Sequence, residues 1–179
     1  MGTMLRKLED RDVTGMLEWM HDEVVAKNFR FDFMSMTREK ALNFIAESFT
    51  DENQHFAIVD AQNNYVGTIS LKNISAVDSN AEYAIVLRRK FWGKGYAQKA
   101  TAEILDYAFN TLNLHKVYLN VLDENIRANK FYQKCGFVYE GTFKDHLRLP
   151  QGGGVRKYGT LCWYAIINER NKNGNDEFG

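Results

Sequence analysis

Arg88-Arg89-Lys90-Phe91-Trp92-Gly93-Lys94-Gly95-Tyr96-Ala97 joins a short alternating stretch, Glu82 to Leu87, to a long run of helical periodicity. In that run Ala97, Ala100, Thr101, Ile104, Leu105, Ala108 and Phe109 recur at helical spacing, which predicts a helix over Gly95 to Leu112. A strand that feeds a helix through two glycines leaves the first helical amides pointing outward, at the positive end of the helix dipole. The glycines permit the sharp turn and put no side chain between those amides and a phosphate oxygen. The segment therefore reads as an anion cradle, with Lys94 or Arg89 adding charge at its rim. It is not a Walker loop, because Lys94 is followed by Gly95 rather than by Ser or Thr. It is also a poor dinucleotide fingerprint, lacking the third small residue and the acid at the end of the next strand. A Gly-x-Gly alone occurs in many ordinary turns.

Outward from this segment the chain alternates between helical and strand periods. Met4 to Leu8 reads as a first strand, and Asp10 is placed to cap a helix to about Met20, with Val13, Met16, Leu17 and Met20 on one face. Thr37 caps a second helix, whose buried stripe is Ala41, Leu42, Phe44, Ile45 and Phe49. Between them, Lys27 to Met36 is an aromatic-rich loop. His55 to Asp60 and Tyr65 to Lys72 form a hairpin over Ala61-Gln62-Asn63-Asn64. After the long helix, Lys116 to Leu122 returns as a strand and Asp123 caps a helix over Glu124 to Lys134. Phe137 to Asp145 and Arg156 to Ile167 close the sheet around Pro150-Gln151-Gly152-Gly153-Gly154. The expectation is a single α/β (α+β) domain over residues 1–170, with a mixed, largely antiparallel central sheet flanked by helices. Residues 171–179 form a polar C-terminal tail. Met1-Gly2-Thr3 is expected to precede the natural start at Met4.

Composition narrows the classes of function. With 45% hydrophobic and 26% charged residues in 179, the chain supports a core without metal or disulfide staples. Zero net charge argues against general nucleic-acid binding, and Cys135 and Cys162 are too few for a zinc site. With no long apolar run and no signal peptide, the expectation is a cytoplasmic protein, off the membrane. Charge is uneven, however. Arg88, Arg89, Lys90, Lys94, Lys99 and Lys116 face only Glu103 and Asp106 in their stretch, while Glu9, Asp10, Asp12, Glu18, Asp22 and Glu23 crowd the first third. The basic stretch suggests one anionic ligand, the glycines inside it arguing against a merely solvated helix start; the acidic section suits a polyamine, and a solvated acidic helix explains it just as well.

A second segment gives the first its meaning: Asn125-Ile126-Arg127-Ala128-Asn129-Lys130-Phe131-Tyr132-Gln133-Lys134-Cys135-Gly136-Phe137. Together the two resemble the GNAT superfamily of N-acetyltransferases. The first is similar to its pyrophosphate loop, Gln/Arg-x-x-Gly-x-Gly/Ala, with Lys90 at the position of Gln or Arg. The second is similar to its Asn-x-x-Ala/Ser-x-x-x-Tyr-x-x-x-Gly-Phe helix. Trp92-Gly93-Lys94-Gly95-Tyr96-Ala97 and Glu140-Gly141-Thr142-Phe143-Lys144 resemble the branch of ribosomal-protein N-terminal, spermidine and nucleotide-amino-sugar acetyltransferases. Thr160 stands where many relatives carry an Asp, so no acceptor role of that acid carries over.

The resemblance implies acetyl-CoA as co-substrate, without metal, in a gap where Glu82–Leu87 splays from Lys116–Leu122. Val86, Arg88, Arg89, Lys90, Gly93, Lys94, Gly95, Tyr96, Ala97 and Asn125 are the implied cofactor contacts, with amides near Val86 on the pantetheine. Tyr132 is the implied acid for the leaving thiolate, since a phenol of ordinary pKa near 10 stays protonated at neutral pH. Tyrosines on a helix more often simply pack, and Asn125 serves equally as a first-turn cap. Glu82 is the candidate base for the acceptor amine; strand alternation turns it either into the gap or into solvent. His115, His55 and His21 are weaker candidates, and Cys135 reads as a small buried apolar group. Trp19, Phe29, Phe31, Phe33 and Trp163 are candidates for the acceptor wall or plain core. The expected acceptor is a small-molecule amine, a nucleotide-linked amino sugar first, with spermidine or a ribosomal-protein N-terminus as alternatives. A CoA-binding sensor without catalysis is the competing class. A homodimer is common in the branch.

Overall fold

The computed structural model describes residues 4–27, 29, 31–149 and 157–169. The loop 150–156 and the tail 171–179, both read from the sequence above, lie outside the described residues. Seven strands form one sheet in the order β1-β2-β3-β4-β5-β7-β6, comprising β1 (Leu5–Lys7), β2 (Gln54–Val59), β3 (Tyr65–Ser75), β4 (Asn80–Leu87), β5 (Lys116–Leu122), β6 (Val138–Leu149) and β7 (Lys157–Ile167). Every pairing is antiparallel except β4 with β5. A parallel pair needs a crossover, which is supplied by α4 (Tyr96–Asp106). The remaining helices are α1 (Val13–Met20), α2 (Glu23–Ala26), α3 (Arg38–Ala46) and α5 (Ile126–Lys134). None is long and apolar enough to cross a membrane among the described residues.

Strand alternation divides the core in two. Ile58, Ala81, Tyr83, Val117 and Leu119 face α4 and α5, where Ile104 and Phe137 complete one cluster. Their neighbours Ala57 and Val59 face the other way, against Val13, Met16, Trp19, Ala41 and Ile45 of α1 and α3. Thr37 caps α3 as expected, its hydroxyl accepting from Lys40 N at 3.2 Å. The hairpin turn is held by Asp60, whose carboxylate accepts from the amides of Gln62 and Asn64 at 3.0 and 2.9 Å.

Several local expectations are corrected. Asp10 does not cap α1: residues Asp10–Asp12 form a 3₁₀ turn, and the acid that matters is Asp12, buried and held by Arg6 at 2.7 and 2.8 Å. A short helix not expected from the sequence, α2, precedes the aromatic loop, with Asp22 accepting from Val24 N, and a 3₁₀ turn over Phe33–Ser35 lies within the loop. Phe49 lies beyond α3, bridged to Gln54. The helix expected to reach Leu112 widens into a π turn over Tyr107–Thr111, with Leu112 N bonding Tyr107 O at 3.0 Å. Asn125, not Asp123, caps α5: its side chain accepts from Ala128 N at 3.2 Å, whereas the Asp123 carboxylate accepts from the adjacent Glu124 amide.

Candidate active site

β4 and β5 pair over only three residues each, Asn80–Glu82 against Lys116–Tyr118, and then part. Beyond Glu82, β4 keeps β3 on one side while β5 keeps β7 on the other, so the sheet opens between them. A groove of about 410 Å³ runs through this opening. Ala84 to Leu87 form one wall and Asn120 to Leu122 the other. The Arg88 amide bonds Val66 O on β3 at 3.0 Å. Alternation therefore turns the backbone of Val86 and Ala84 toward β3, and that of Leu87, Ile85 and Tyr83 toward the gap. Val86 thus lines the groove by its side chain. The backbone groups aimed at a ligand are those of its neighbours, because a buried amide needs a partner and β5 has withdrawn.

At one end of the groove stand the glycine turn and the start of α4. Gly93 and Gly95 have φ of +74° and +83°, a conformation that costs most other residues about 1–2 kcal/mol. A Cβ at either position meets no protein atom within 4 Å, so the turn faces open space. The first helical bond near this end is Lys99 N to Gly95 O, which leaves the amides of Tyr96, Ala97 and Gln98 without an intrahelical acceptor. Gly95 caps by backbone alone and covers none of them.

The basic residues just before this turn have another use. The Arg88 guanidinium donates to Tyr65 O at 2.7 Å and to the Glu18 carboxylate. Arg89 pairs with Asp22 at 2.9 Å, and Lys90 lies 3.6 Å from Glu18. Three residues of the basic stretch thus answer two acids of the first third, Glu18 and Asp22, clamping α1 to the end of β4. Among the cations expected at the phosphate, only Lys94 has no such carboxylate partner among the described residues. It lies over the Phe91 ring at 5.6 Å. Arg127 was missed by sequence reasoning. Its guanidinium sits 3.8 Å over the Trp92 ring, joining the start of α5 to the glycine turn at the groove. The sequence signal was Arg127 within the second motif, but nothing local pointed it at Trp92.

Tyr132 and Glu82 both line the groove, at its middle. Tyr132 projects from α5 and is wedged edge-on against Tyr83, Phe131 and Phe137, with centroids 5.5–6.0 Å apart. Burial pushes its phenol well above the ordinary value, and neighbouring Cys135 adds to the shift. The premise of an unperturbed phenol is thereby revised: the hydroxyl keeps its proton more firmly than expected. Glu82 is the last residue of β4 paired with β5. Its carboxylate accepts from Lys72 Nζ at 2.9 Å and Asn73 Nδ2 at 2.9 Å, one donor on each oxygen. A carboxylate has about four acceptor positions, so room remains for a water or an amine. Asn125 also lines the groove, its Oδ1 committed to the helix cap.

Of the aromatic candidates, only Phe29 reaches the groove, joined by Val25 of α2. Trp19 is core, its indole donating to Tyr65 Oη at 3.0 Å, and Phe33 packs on it at 4.9 Å. Phe31 is exposed. Trp163 stacks on Tyr118 in a separate cleft beyond Asn73. His55 does not line the groove and is bonded to Ser70 at 2.7 Å; His21 bonds Met36 O; His115 bonds Ser79 O through its amide. Cys135 is half-buried beside Tyr132. Among the described residues no group of three His, Cys, Asp or Glu is placed to hold a metal.

Comparison with known proteins agrees with this geometry. A spermidine N(1)-acetyltransferase of Vibrio cholerae is 42% identical over 88 residues, which are 49% of this chain and 51% of that protein. The match thus spans about half the length of that relative. The crystal structure of spermidine N-acetyltransferase from Vibrio cholerae in complex with CoA and spermine superposes with a TM-score of 0.82 at 27% identity, covering 94% of this chain and 97% of that one. A dodecameric structure of the Vibrio cholerae spermidine enzyme in an intermediate state gives 0.70 at 29% identity, covering 94% and 95%. The family model described as the acetyltransferase (GNAT) domain matches residues 3–138, from before β1 to the start of β6. With the split sheet, the glycine turn and the tyrosine helix all in place, the chain belongs to the GNAT acetyltransferase family.

Proposed function

We propose that the protein transfers the acetyl group of acetyl-CoA to a primary amine by direct attack. The observation that carries the reading is the groove itself, which passes from free helix amides, through a gap in the sheet, to a carboxylate and a tyrosine. The open amides and vacant glycine Cβ positions suit a pyrophosphate, and the exposed edge of β4 suits the amides of pantetheine. The acetyl end of the cofactor then reaches the vertex near Glu82 and Tyr132. The amine enters from the opposite face of the sheet, where Val25, Phe29 and Leu161 lie. Holding both reactants in line is itself a large part of the acceleration.

In this reading Glu82 takes a proton from the incoming ammonium, directly or through one water, and the free amine then attacks the thioester carbonyl. The C–S bond breaks as the amide forms, the nitrogen's second proton leaves to water, and CoA departs as the thiolate. The Tyr132 hydroxyl donates a hydrogen bond to the sulfur as thiolate charge develops. Full proton transfer would leave a phenolate disfavoured by the raised pKa of Tyr132, so hydrogen bonding is the cheaper service. No thiol stands in line for an acetyl-enzyme, Cys135 lying behind Tyr132 beside Thr101. The relatives' names support a small aliphatic amine, the class that contains the polyamines, over the nucleotide-linked amino sugar expected from the sequence. An oligomer is part of the proposal, supported by the exposed Val138, Tyr139, Phe143 and Tyr158 on the outer strands and by the dodecameric relative.

The test is CoA release from acetyl-CoA with a panel of aliphatic amines, amino sugars and peptide N-termini. Turnover with an aliphatic amine is the expected result. CoA binding without turnover of any amine would leave a sensor in place of an enzyme.

A further inference from the structure

The Glu82 carboxylate stands between two hollows. Its Oε1 accepts from Lys72 Nζ, which belongs to the groove lining; its Oε2 accepts from Asn73 Nδ2, which belongs to a second cleft of about 490 Å³. The strand register fixes this neighbourhood. Tyr118 on β5 lies directly opposite Glu82, and Asn80 lies two residues back along β4, about 7 Å away on the same face. Both line the second cleft, and Trp163, stacked on Tyr118 at 6.0 Å, completes its aromatic wall. Trp163 pairs with Asn120 and Leu161 with Leu122, which alternate with Tyr118, so the two rings share the sheet face on which the acceptor enters beside Leu161. Burial and the charge of Glu82 both push the Tyr118 phenol up, as expected of a ring close to that carboxylate. The resident cations are already answered: Lys72 by Glu82, and Lys116 by both oxygens of Glu140 at 2.9 and 2.7 Å. Asp78, in the turn beyond Asn80, has no cation partner among the described residues. Ser75 Oγ donates to its carboxylate at 3.0 Å and accepts from its amide at 3.0 Å, which fixes the acid in the cleft wall.

We infer that the second cleft is the distal half of the acceptor site, holding a second ammonium of a linear di- or polyamine against Tyr118 and Trp163 and beside Asp78 while the reacting amine sits at Glu82. This rests on the transferase reading above and names the acceptor by its charge pattern: two ammonium groups several methylenes apart. The ring faces attract the cation without stripping all of its water, because the cleft is open, so the second charge avoids the desolvation that a closed apolar pocket imposes. Asp78 adds the one carboxylate of the cleft that no resident cation holds. The methylene chain between the two charges lies along Tyr118, the residue that borders Glu82 on one side and Trp163 on the other.

The experiment compares kcat/KM for n-hexylamine, 1,6-diaminohexane and spermidine, which differ chiefly in distal charge, in the wild type, Asp78→Asn and Trp163→Leu. The wild type is expected to prefer the diamine and spermidine over hexylamine by about tenfold or more, which is about 1.4 kcal/mol. That preference should shrink as salt is raised, because Asp78 is exposed. Asp78→Asn keeps the size of the side chain and removes its charge, so the diamine-to-hexylamine ratio should fall by about threefold, through KM rather than kcat. Trp163→Leu keeps an apolar side chain and removes the ring face, and should lower the same ratio by about two- to fivefold. Hexylamine turnover should stay near wild type in both. A merely structural role for either residue would change all three amines together and leave their ratio alone. A wild type without preference for the diamine, or a ratio unchanged in either folded variant, overturns the inference while the transferase reading stands. No turnover of any amine by the wild type overturns both.

Discussion

Replacing Tyr132 by Phe removes one hydroxyl and leaves the ring in its socket. The three edge-on contacts with Tyr83, Phe131 and Phe137 belong to the ring, and none needs the oxygen. Folding and acetyl-CoA affinity should therefore change little, with the KM for acetyl-CoA within about threefold, as for an isosteric swap. The catalytic cost follows from the role assigned to the hydroxyl. A hydrogen bond to a charged partner contributes about 1.5–3 kcal/mol, so kcat should fall by about 10–150-fold. That lies at or below the lower part of the range for full general-acid catalysis, about 10²–10⁴-fold. The assay is single-turnover transfer to a good amine, so that product release does not mask chemistry. Because burial raises the phenol's pKa, no loss of rate from tyrosine ionisation should appear below about pH 10 in the wild type. A folded Tyr132→Phe enzyme within twofold of wild type would leave Tyr132 as packing alone. A loss above about 10⁴-fold would mean that the hydroxyl delivers the proton itself.

Glu82→Gln should lower kcat/KM by about 100-fold or more near neutral pH, and the deficit should shrink toward pH 10 as the amine deprotonates unaided; a deficit independent of pH in a folded variant refutes the base. Gly95→Ala puts a Cβ on a residue at φ +83°, projecting into space the protein leaves open, so CoA affinity by calorimetry should weaken by tenfold or more. The accompanying stability loss should be about 1 kcal/mol, and unchanged affinity would dissociate the turn from the pyrophosphate. His55 is held neutral, its pKa lowered to about 4 by burial and then by the charge of Lys72. The unfolded chain takes up that proton near pH 6.5 and the folded one near pH 4, so stability should fall as pH drops through this window, by roughly 3 kcal/mol at most. Urea unfolding across the window should show that loss and its flattening in His55→Gln; identical slopes would remove His55 as the cause.

What the sequence determined is what near neighbours along the chain decide. Two glycines between a strand and a helical run can only be a sharp turn, whatever surrounds them, and both take positive φ. Alternation in β2, β4 and β5 specified which residues share a face, because a strand has no other way to place them, but not which helices cover that face. Thr37 as a cap and the spacing of Asn125, Ala128 and Tyr132 were legible for the same reason.

Tertiary structure decided the pairings. Arg88 finds Glu18 seventy positions away, and a basic stretch read as a ligand site becomes, in large part, a clamp on α1. Strand β7 inserts between β5 and β6, so the two last strands exchange the places that sequence order suggests. Val25, Phe29, Lys72 and Leu161 converge on one groove from four separate elements. Cation and carboxylate attract wherever the fold brings them together, and the chain's covalent order carries no record of that distance. The pattern of charge around the groove is therefore a property of the packed sheet.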